Sequence, residues 1–178
     1  MIDRSFWKGR RVLITGHTGF KGSWLSLLLD QLGATIGGYS LPPVGKPTLF
    51  ETLKVKDLLV SNRFGDITDR SSLTAAVNEF DPDVIFHLAA QPLVSDGYND
   101  PILTYQVNVL GTAIVLDAAR GLSKLKSIVN VTTDKCYENT TKAGAIGFKE
   151  EDRLGGKDPY SNSKACSELV TNAFTQSY

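Results

Sequence analysis

A tyrosine and a lysine four residues apart, Tyr160 and Lys164, have the residue types and the spacing for acid–base chemistry. On a helix, this spacing places both side chains on one face. A phenol normally loses its proton near pH ~10, too high for a base at neutral pH, but a neighbouring ammonium group favours the phenolate. A tyrosine and a lysine one turn apart are ordinary surface residues in most proteins. The pair is therefore a candidate for catalysis that needs support from other residues.

Three glycines, Gly16, Gly19 and Gly22, recur at every third position directly after the apolar run Arg11–Thr15. The first allows a sharp turn off a strand, the second lets the backbone approach a pyrophosphate, and the third lets a helix pack closely. The N-terminus of that helix supplies free N–H groups and a partial positive charge. A flexible turn would show the same letters, but a position between strand and helix is the one that dinucleotide binding requires.

The choice of dinucleotide depends on the end of the second apolar run. An Asp or Glu about 20 residues after the loop usually binds the adenosine ribose, and an Arg usually meets a 2′-phosphate. The segment Gly38–Leu41 carries neither. We predict NAD rather than NADP. His17, inside the loop, either contacts a phosphate or ribose of this cofactor or is a loop residue tolerated there.

Short β-branched runs alternate with amphipathic stretches along the chain, and this alternation predicts the elements that position these residues. Strands are predicted at residues 11–15, 35–39, 62–65, 84–87 and 127–132. The predicted apolar helix faces are Leu25, Leu28, Leu29 and Leu32; Leu73, Val77 and Phe80; and, after Pro101, Leu103, Val107, Leu110 and Ile114. A last helix runs from Pro159 to Tyr178, and Ser40–Thr48 and Glu138–Asp158 are predicted loops. The pattern predicts an α/β fold with a doubly wound parallel sheet of the Rossmann type.

The composition excludes several classes of protein. The 178 residues, 42% of them hydrophobic, are enough for one domain with a core. The 19 basic and 19 acidic residues balance, which argues against nucleic-acid or membrane-surface binding. No run approaches the ~18 apolar residues of a membrane span, and no secretory signal is visible, so we expect a cytoplasmic protein. Cys136 and Cys166 form no close-spaced metal motif, and no metal is expected.

Six segments in order make a more specific pattern than any one of them. They are Thr15–Gly22, Gly65–Ile67, His87–Gln91, Asn108–Thr112, Thr132–Tyr137 and Tyr160–Lys164. Through them the chain resembles, essentially from end to end, the extended short-chain dehydrogenase/reductase family of nucleotide-sugar enzymes. The resemblance implies an NAD-binding Rossmann-type domain and a nucleotide-sugar substrate.

The resemblance also implies a set of cofactor-binding residues. They are Gly16, His17, Gly19, Phe20, Lys21, Gly22, Asp66, Ile67, Leu88, Ala89, Ala90, Asn108, Thr132, Tyr160 and Lys164. Asp66 and Ile67 would face the adenine, although Asp66 on its own also fits a turn or a helix cap. Asn108 would anchor the long helix by a polar contact.

The implied catalytic residues are Thr133, Asp134, Lys135, Tyr160 and Lys164. Thr-Asp-Lys is similar to the nucleotide-hexose 4,6-dehydratases, and most similar to those that act on CDP-glucose. In such enzymes Tyr160 would take the proton of a hydroxyl bound by Thr133 while NAD takes the hydride. Asp134, if protonated, would protonate the departing hydroxyl on carbon 6, to which the hydride returns. Lys135 is either the base at carbon 5 or a cation beside the enolate, or Asp134 and Lys135 are surface residues without a role.

The resemblance implies a homodimer when the protein is full length, built on the Pro101–Gly121 helix and the Tyr160 helix, and a place in deoxysugar biosynthesis for O-antigen lipopolysaccharide. Residues 1–178 are expected to form the dinucleotide-binding domain with the catalytic helix, truncated before the substrate domain. Alone they are expected to bind the dinucleotide weakly and to dehydrate nothing.

Ser95 and Asp96 depart from the Arg and apolar residue usual in the subgroup. An epimerase or dehydrogenase of the same fold, or a non-catalytic NAD-binding fragment, are the alternatives.

Overall fold

A parallel sheet of five strands is the framework of the computed structural model, which describes residues 3–138 and 147–178. The strands are β1 (Arg11–Thr15), β2 (Thr35–Ser40), β3 (Leu59–Phe64), β4 (Val84–His87) and β5 (Ser127–Asn130). Their spatial order is β3-β2-β1-β4-β5, and every neighbouring pair is parallel. This is the Rossmann order, with the reversal between β1 and β4, and it confirms the predicted fold class.

The described residues form two compact units. The first contains residues 3–89 and 117–130, and therefore all five strands; the second contains residues 90–116, 131–138 and 147–178. The helices of the first unit are α1 (Arg4–Trp7), α2 (Phe20–Gln31), α3 (Leu49–Thr52), α4 (Val55–Leu58) and α5 (Arg70–Phe80). Because β1 to β3 progress in one direction and β4 starts on the other side of β1, right-handed connections place α2 and α5 on opposite faces of the sheet.

The core of the first unit joins the three central strands, β2, β1 and β4, to helix α2. The buried cluster consists of Val12, Ile14, Leu29, Ile36 and Val84. β-branched residues dominate because a strand covered on both faces has no polar side. The predicted face of α2 is wrong at Leu28, which is 43% exposed. The helix turns Ser23 and Ser26 inwards instead, and Ser26 is satisfied by donating to the Gly22 carbonyl at 2.8 Å.

The second unit is built from helices. They are α6 (Val94–Asn99), α7 (Pro101–Tyr105), a π-helical turn (Gln106–Leu110), α8 (Gly111–Ala119), which continues into the first unit, a 3-10 turn (Asp134–Cys136) and α9 (Pro159–Ser177). The predicted Glu138–Asp158 loop lies in part outside the described residues.

The predicted apolar stripe of the long helix Pro101–Ala119 is wrong at two positions. Leu103 and Leu110 are 45% and 51% exposed, whereas Thr104, Asn108 and Thr112 are buried. The π-helical turn Gln106–Leu110 contributes at Leu110, since its wider period departs from the α-helical spacing; Leu103 precedes this turn.

By length and composition this long helix is also apolar enough to cross a membrane. Half of its most apolar window is buried inside the protein, however, and the core helix of a soluble protein passes the same test. It is the one helix of this kind among residues 3–138 and 147–178, and it is weak support for a membrane span.

Candidate active site

The glycine loop leaves β1 at the point where the strand order reverses. Gly16 has a φ of +77° and donates its N–H to the Tyr39 carbonyl at 2.9 Å. A Cβ at Gly16 would lie 2.7 Å from the backbone nitrogen of Ala89, and one at Gly22 would lie 2.2 Å from the Gly16 carbonyl oxygen. Both glycines are therefore required by the close approach of backbone to backbone.

Gly19 differs from these two, because a Cβ there would meet only the Gly16 carbonyl oxygen, at 3.4 Å. Gly19 is the N-cap of α2, which has no side-chain cap and no acidic residue in its first turn. The first N–H groups of a helix without a cap, together with its dipole, attract an anion. A backbone open to approach at this position fits the pyrophosphate of a dinucleotide. Phe20 and Lys21, the first two residues of α2 after Gly19, are exposed.

Substitutions at two of these glycines separate packing from cofactor binding. We expect Gly22→Ala to lower the thermal unfolding temperature and to abolish dinucleotide binding, because its methyl group collides with the backbone of Gly16. We expect Gly19→Ala to unfold close to the parental temperature and still to bind the dinucleotide more weakly, because its methyl group occupies the phosphate approach. Thermal unfolding and NAD titration measure both. Equal NAD affinity in Gly19→Ala and the parent would remove the loop from the cofactor site.

A cavity of about 400 Å³ opens beside this loop. Its lining residues are Thr18, Gly19, Phe20, Pro42, Pro43, Val44, Pro47, Thr48 and Leu49. The polar side chains at the end of β2 carry hydroxyl groups. Thr18 Oγ1 and Ser40 Oγ lie 2.8 Å apart there. Thr18 also donates to the Leu41 carbonyl at 2.9 Å. No carboxylate from the end of β2 is available to bind a ribose, as the sequence indicates.

His17 is buried beneath the loop rather than open to a cofactor. Its Nε2 lies 2.8 Å from Asn62 Oδ1, and its ring stacks on Phe64 with the planes 9° apart. Burial lowers the pKa of His17, and this outweighs the opposing effects of Asn62 and the Tyr39 carbonyl. The position favours the structural interpretation of His17, and its cofactor contact stays a prediction.

The buried imidazole predicts a pH dependence of stability. Folding lowers the pKa of His17. As the pH falls below about 6.5, His17 therefore takes up a proton in the unfolded chain but stays neutral in the folded protein. The free energy of unfolding should therefore decrease from pH 7.5 to pH 5.5, with up to about 1.4 kcal/mol per pH unit due to His17. Urea unfolding of the parent and of His17→Gln measures this slope. Identical slopes in the two proteins would contradict the assignment.

Asp66 and Ile67 follow β3. Asp66 is exposed, and its Oδ1 accepts from the backbone N–H of Thr68 at 2.8 Å and from its hydroxyl at 2.7 Å. Ile67 is a core residue, 5% exposed. The turn-forming interpretation of Asp66 is thus realised in the structure, and the adenine contact of both residues stays a prediction.

The end of β4 is fixed to β1 by Thr15. Its hydroxyl lies 2.7 Å from His87 Nδ1 and accepts from the Ala89 N–H at 3.2 Å. The Thr15 carbonyl accepts from the Leu88 N–H at 3.1 Å. These bonds hold Leu88 and Ala89 at the carboxyl end of β4, beside Gly16. Ala90 follows as the first residue of the second unit.

Tyr160 and Lys164 lie one turn apart in the first half of α9, as the sequence predicts. Asp158 caps this helix by accepting from the Ser161 N–H at 3.0 Å, and Pro159 occupies its first turn. Tyr160 is half-buried, and Lys164 is 6% exposed with its Nζ donating to the Val131 carbonyl at 3.1 Å. This hydrogen bond fixes the direction of the Lys164 side chain, because the Val131 carbonyl belongs to the backbone that follows β5.

Asp134 and Lys135 begin the 3-10 turn Asp134–Cys136, which Thr133 caps and which packs against α9. Thr133 Oγ1 donates to Asp134 Oδ1 at 3.2 Å, and the side chains of Asp134 and Lys135 are exposed. Burial alone would raise the pKa of Asp158, but hydrogen bonds from Ser161 and Tyr160 and the nearby Lys135 charge lower it. The structure thus brings together all five predicted catalytic residues in the second unit.

Asn108 makes three side-chain hydrogen bonds in the second unit. It accepts from the Gln91 N–H at 2.8 Å and donates to the Gln91 carbonyl at 3.1 Å and to Ser163 Oγ at 2.9 Å. Ser163 in turn donates to the Tyr160 carbonyl at 2.7 Å. Asn108 therefore anchors the long helix to α9, the polar contact that the sequence predicts, and its place in the cofactor set stays a prediction.

Two residues of this constellation were not found from the sequence. Ser163 joins Asn108 to the Tyr160 backbone, and Glu168 accepts a hydrogen bond from Thr132. Glu168 repeats the spacing of Tyr160 and Lys164 one turn further, and this period is the signal that was available. No group of three metal-binding side chains occurs within residues 3–138 and 147–178.

The fold and these two sets of residues define a Rossmann-type protein with a nucleotide-binding glycine loop and the Tyr–Lys pair of short-chain dehydrogenases/reductases. The chain belongs to the GDP-mannose 4,6-dehydratase family, whose model matches residues 13–178.

Relatives and solved structures agree with this membership. The chain is 49% identical over its whole length to the CDP-glucose 4,6-dehydratase of Salmonella typhimurium, of which it covers 49%. It is 30% identical over 93% of its length to a GDP-mannose 4,6-dehydratase of Vibrio cholerae, of which it covers 46%. The Thermus thermophilus UDP-glucose 4-epimerase complex with NAD is similar at 29% identity and a TM-score of 0.79, over 94% of this chain and 51% of that one. The chain spans about half the length of the curated relatives it matches.

Proposed function

We propose that this chain is the NAD-binding and acid–base part of a nucleotide-sugar 4,6-dehydratase, with CDP-glucose as substrate and CDP-4-keto-6-deoxyglucose as product. One observation carries the proposal. Within one compact unit, α9 with Tyr160 and Lys164 packs against the turn that bears Thr133, Asp134 and Lys135. An acid beside the Tyr–Lys pair is what dehydration needs and what oxidation or epimerisation alone does not. The 49% identity to a CDP-glucose 4,6-dehydratase supports the choice of nucleotide.

The glycine loop would hold the NAD pyrophosphate at the N-terminus of α2, and the similar Thermus thermophilus structure in complex with NAD supports the choice of cofactor. When bound, NAD supplies acceptance and return of a hydride. Tyr160 takes the proton of the hydroxyl on carbon 4, which Thr133 orients by a hydrogen bond. Lys164, held by the Val131 carbonyl, stabilises the phenolate by its charge.

Asp134 then donates a proton to the hydroxyl that leaves carbon 6 as water. Its side chain is exposed, so a bound sugar can reach it and cover it from solvent. Lys135 either takes the proton from carbon 5 or stabilises the resulting enolate as a cation.

The product mass tests the proposal against its alternatives. The full-length protein, meaning a chain of the relatives' length that contains these residues, is incubated with CDP-, dTDP-, UDP- and GDP-hexoses. Loss of one water from CDP-glucose is the expected result. An unchanged mass with an altered sugar would indicate an epimerase, and no change with any sugar would indicate a non-catalytic NAD-binding protein.

The full-length protein is further proposed to be a cytoplasmic homodimer in deoxysugar biosynthesis, such as that of O-antigen lipopolysaccharide. Exposed apolar side chains on the long helix and on α9 support the dimer; they are Ile102, Leu103, Leu110 and Leu169. Light scattering that gives a monomer mass at working concentration would contradict it.

A further inference from the structure

Two successive residues after β5 are each bound by a side chain of α9. The Val131 carbonyl accepts from Lys164 Nζ at 3.1 Å. The next residue, Thr132, donates its hydroxyl to Glu168 Oε1. Lys164 and Glu168 are four residues apart and thus share a face of the helix. The segment that leaves β5 is therefore attached to the helix by its backbone and, one residue later, by a side chain.

This attachment lies directly in front of the turn that carries the proposed acid. Thr133 follows Thr132, and the turn Asp134–Cys136 closes with the Cys136 N–H donating to the Thr133 carbonyl at 3.2 Å. Cys136 is 1% exposed, and the pKa of its thiol is raised by burial and, next, by the negative charge of Glu168. Glu168 thus binds the residue that precedes Thr133, and its charge is felt by the thiol at the end of the turn.

We propose that Glu168 is a positioning residue that fixes the Thr133–Asp134–Lys135 turn on the helix of Tyr160 and Lys164. Its carboxylate accepts a hydrogen bond from the Thr132 hydroxyl. The residue that precedes the turn is therefore bound to α9 one helical turn beyond Lys164. The catalytic consequence rests on the proposed function, whereas the structural consequence does not.

Reactivity of the Cys136 thiol tests the structural consequence. In the 178-residue chain with Cys166→Ser, Cys136 is the remaining cysteine, and the turn must open before a thiol reagent reaches it. We expect Glu168→Ala and Thr132→Val each to speed its labelling by about tenfold, the factor for loss of one hydrogen bond of ordinary strength. The double variant should be no faster than either single variant, because both remove the same bond.

Glu168→Gln is the matched control for charge. It loses the negative charge near Cys136 as Glu168→Ala does, but its amide oxygen still accepts from Thr132. Labelling at close to the parental rate in Glu168→Gln, with fast labelling in Glu168→Ala, supports positioning. Equal rates in the Gln and Ala variants, with Thr132→Val like the parent, would overturn it. Unchanged thermal unfolding temperatures show that the turn opens locally.

Steady-state kinetics of the full-length protein test the catalytic consequence. Glu168→Ala should lower kcat for dehydration by about tenfold and Glu168→Gln by less than about twofold, with the Kd for NAD unchanged in both. Parental kcat in Glu168→Ala would overturn this part of the proposal. If the parental protein dehydrates no nucleotide sugar, the proposed function fails, and the thiol measurement still decides the structural part.

Discussion

Replacement of Tyr160 by phenylalanine in the full-length protein should lower the rate of dehydration by about 10² or more while NAD binding is retained. In the proposed mechanism the phenolic oxygen takes the proton of the carbon 4 hydroxyl, so without it oxidation, the first step, has no base. The aromatic ring remains, and so do the Asp158 cap and the Ser163 bond to the backbone of residue 160, because neither involves the phenol. The helix and Lys164 should therefore stay in place.

Tyr98→Phe is the matched control for this variant. It makes the same chemical change at a side chain that is 66% exposed, on α6 in the same unit. Turnover near the parental rate is expected for Tyr98→Phe. Near-parental turnover in Tyr160→Phe as well would remove Tyr160 from the catalytic residues.

Replacement of Asp134 by asparagine should impair elimination more than oxidation. Tyr160, Lys164 and the glycine loop are untouched, so the sugar is still oxidised at carbon 4 and the reduced cofactor is formed. Without the acid, the hydroxyl on carbon 6 leaves slowly, and the hydride has no carbon to return to. In a single turnover, absorbance of the reduced cofactor should therefore rise and persist after the nucleotide sugar is added, and product formation should fall by about 10².

Asp57→Asn is the comparison for charge, because it removes an exposed carboxylate from α4 in the first unit. It should show the parental time course. If Asp134→Asn forms product at the parental rate without accumulation of reduced cofactor, Asp134 is not the acid.

Most of the framework could be predicted because strand burial and glycine spacing are local signals. β1 and β4 were predicted with the bounds that the structure has, and α5 with the inward face of Leu73, Val77 and Phe80. β3 begins at Leu59 rather than at Asn62; Leu59 and Val60 are apolar, but the strand has no buried residue and no continuous apolar run to mark it. The short helices α3 and α4 have four residues each, too few to show a helical period.

The long helix departs from its predicted pattern in part because a periodic pattern assumes regular helical geometry. The π-helical turn Gln106–Leu110 changes the period of the long helix, in which Leu110 is exposed and Thr104, Asn108 and Thr112 are buried. These polar side chains are buried because each has a partner; Asn108 bonds Gln91 and Ser163. A hydrogen bond between distant residues leaves no trace in a local pattern, so the spacing that places Glu168 one turn after Lys164 does not reveal its bond to Thr132.

A deuterium atom on carbon 4 of CDP-glucose gives the most direct test of the central claim, an internal oxidation and reduction with Tyr160 and Asp134 as proton carriers. The full-length protein converts the labelled sugar with less than one equivalent of NAD per sugar. The mass of the product and the position of its deuterium are then measured. We predict that the product has lost one water, has kept the deuterium, and carries it on carbon 6. A product without loss of water, or one whose deuterium has exchanged with solvent, would contradict this account.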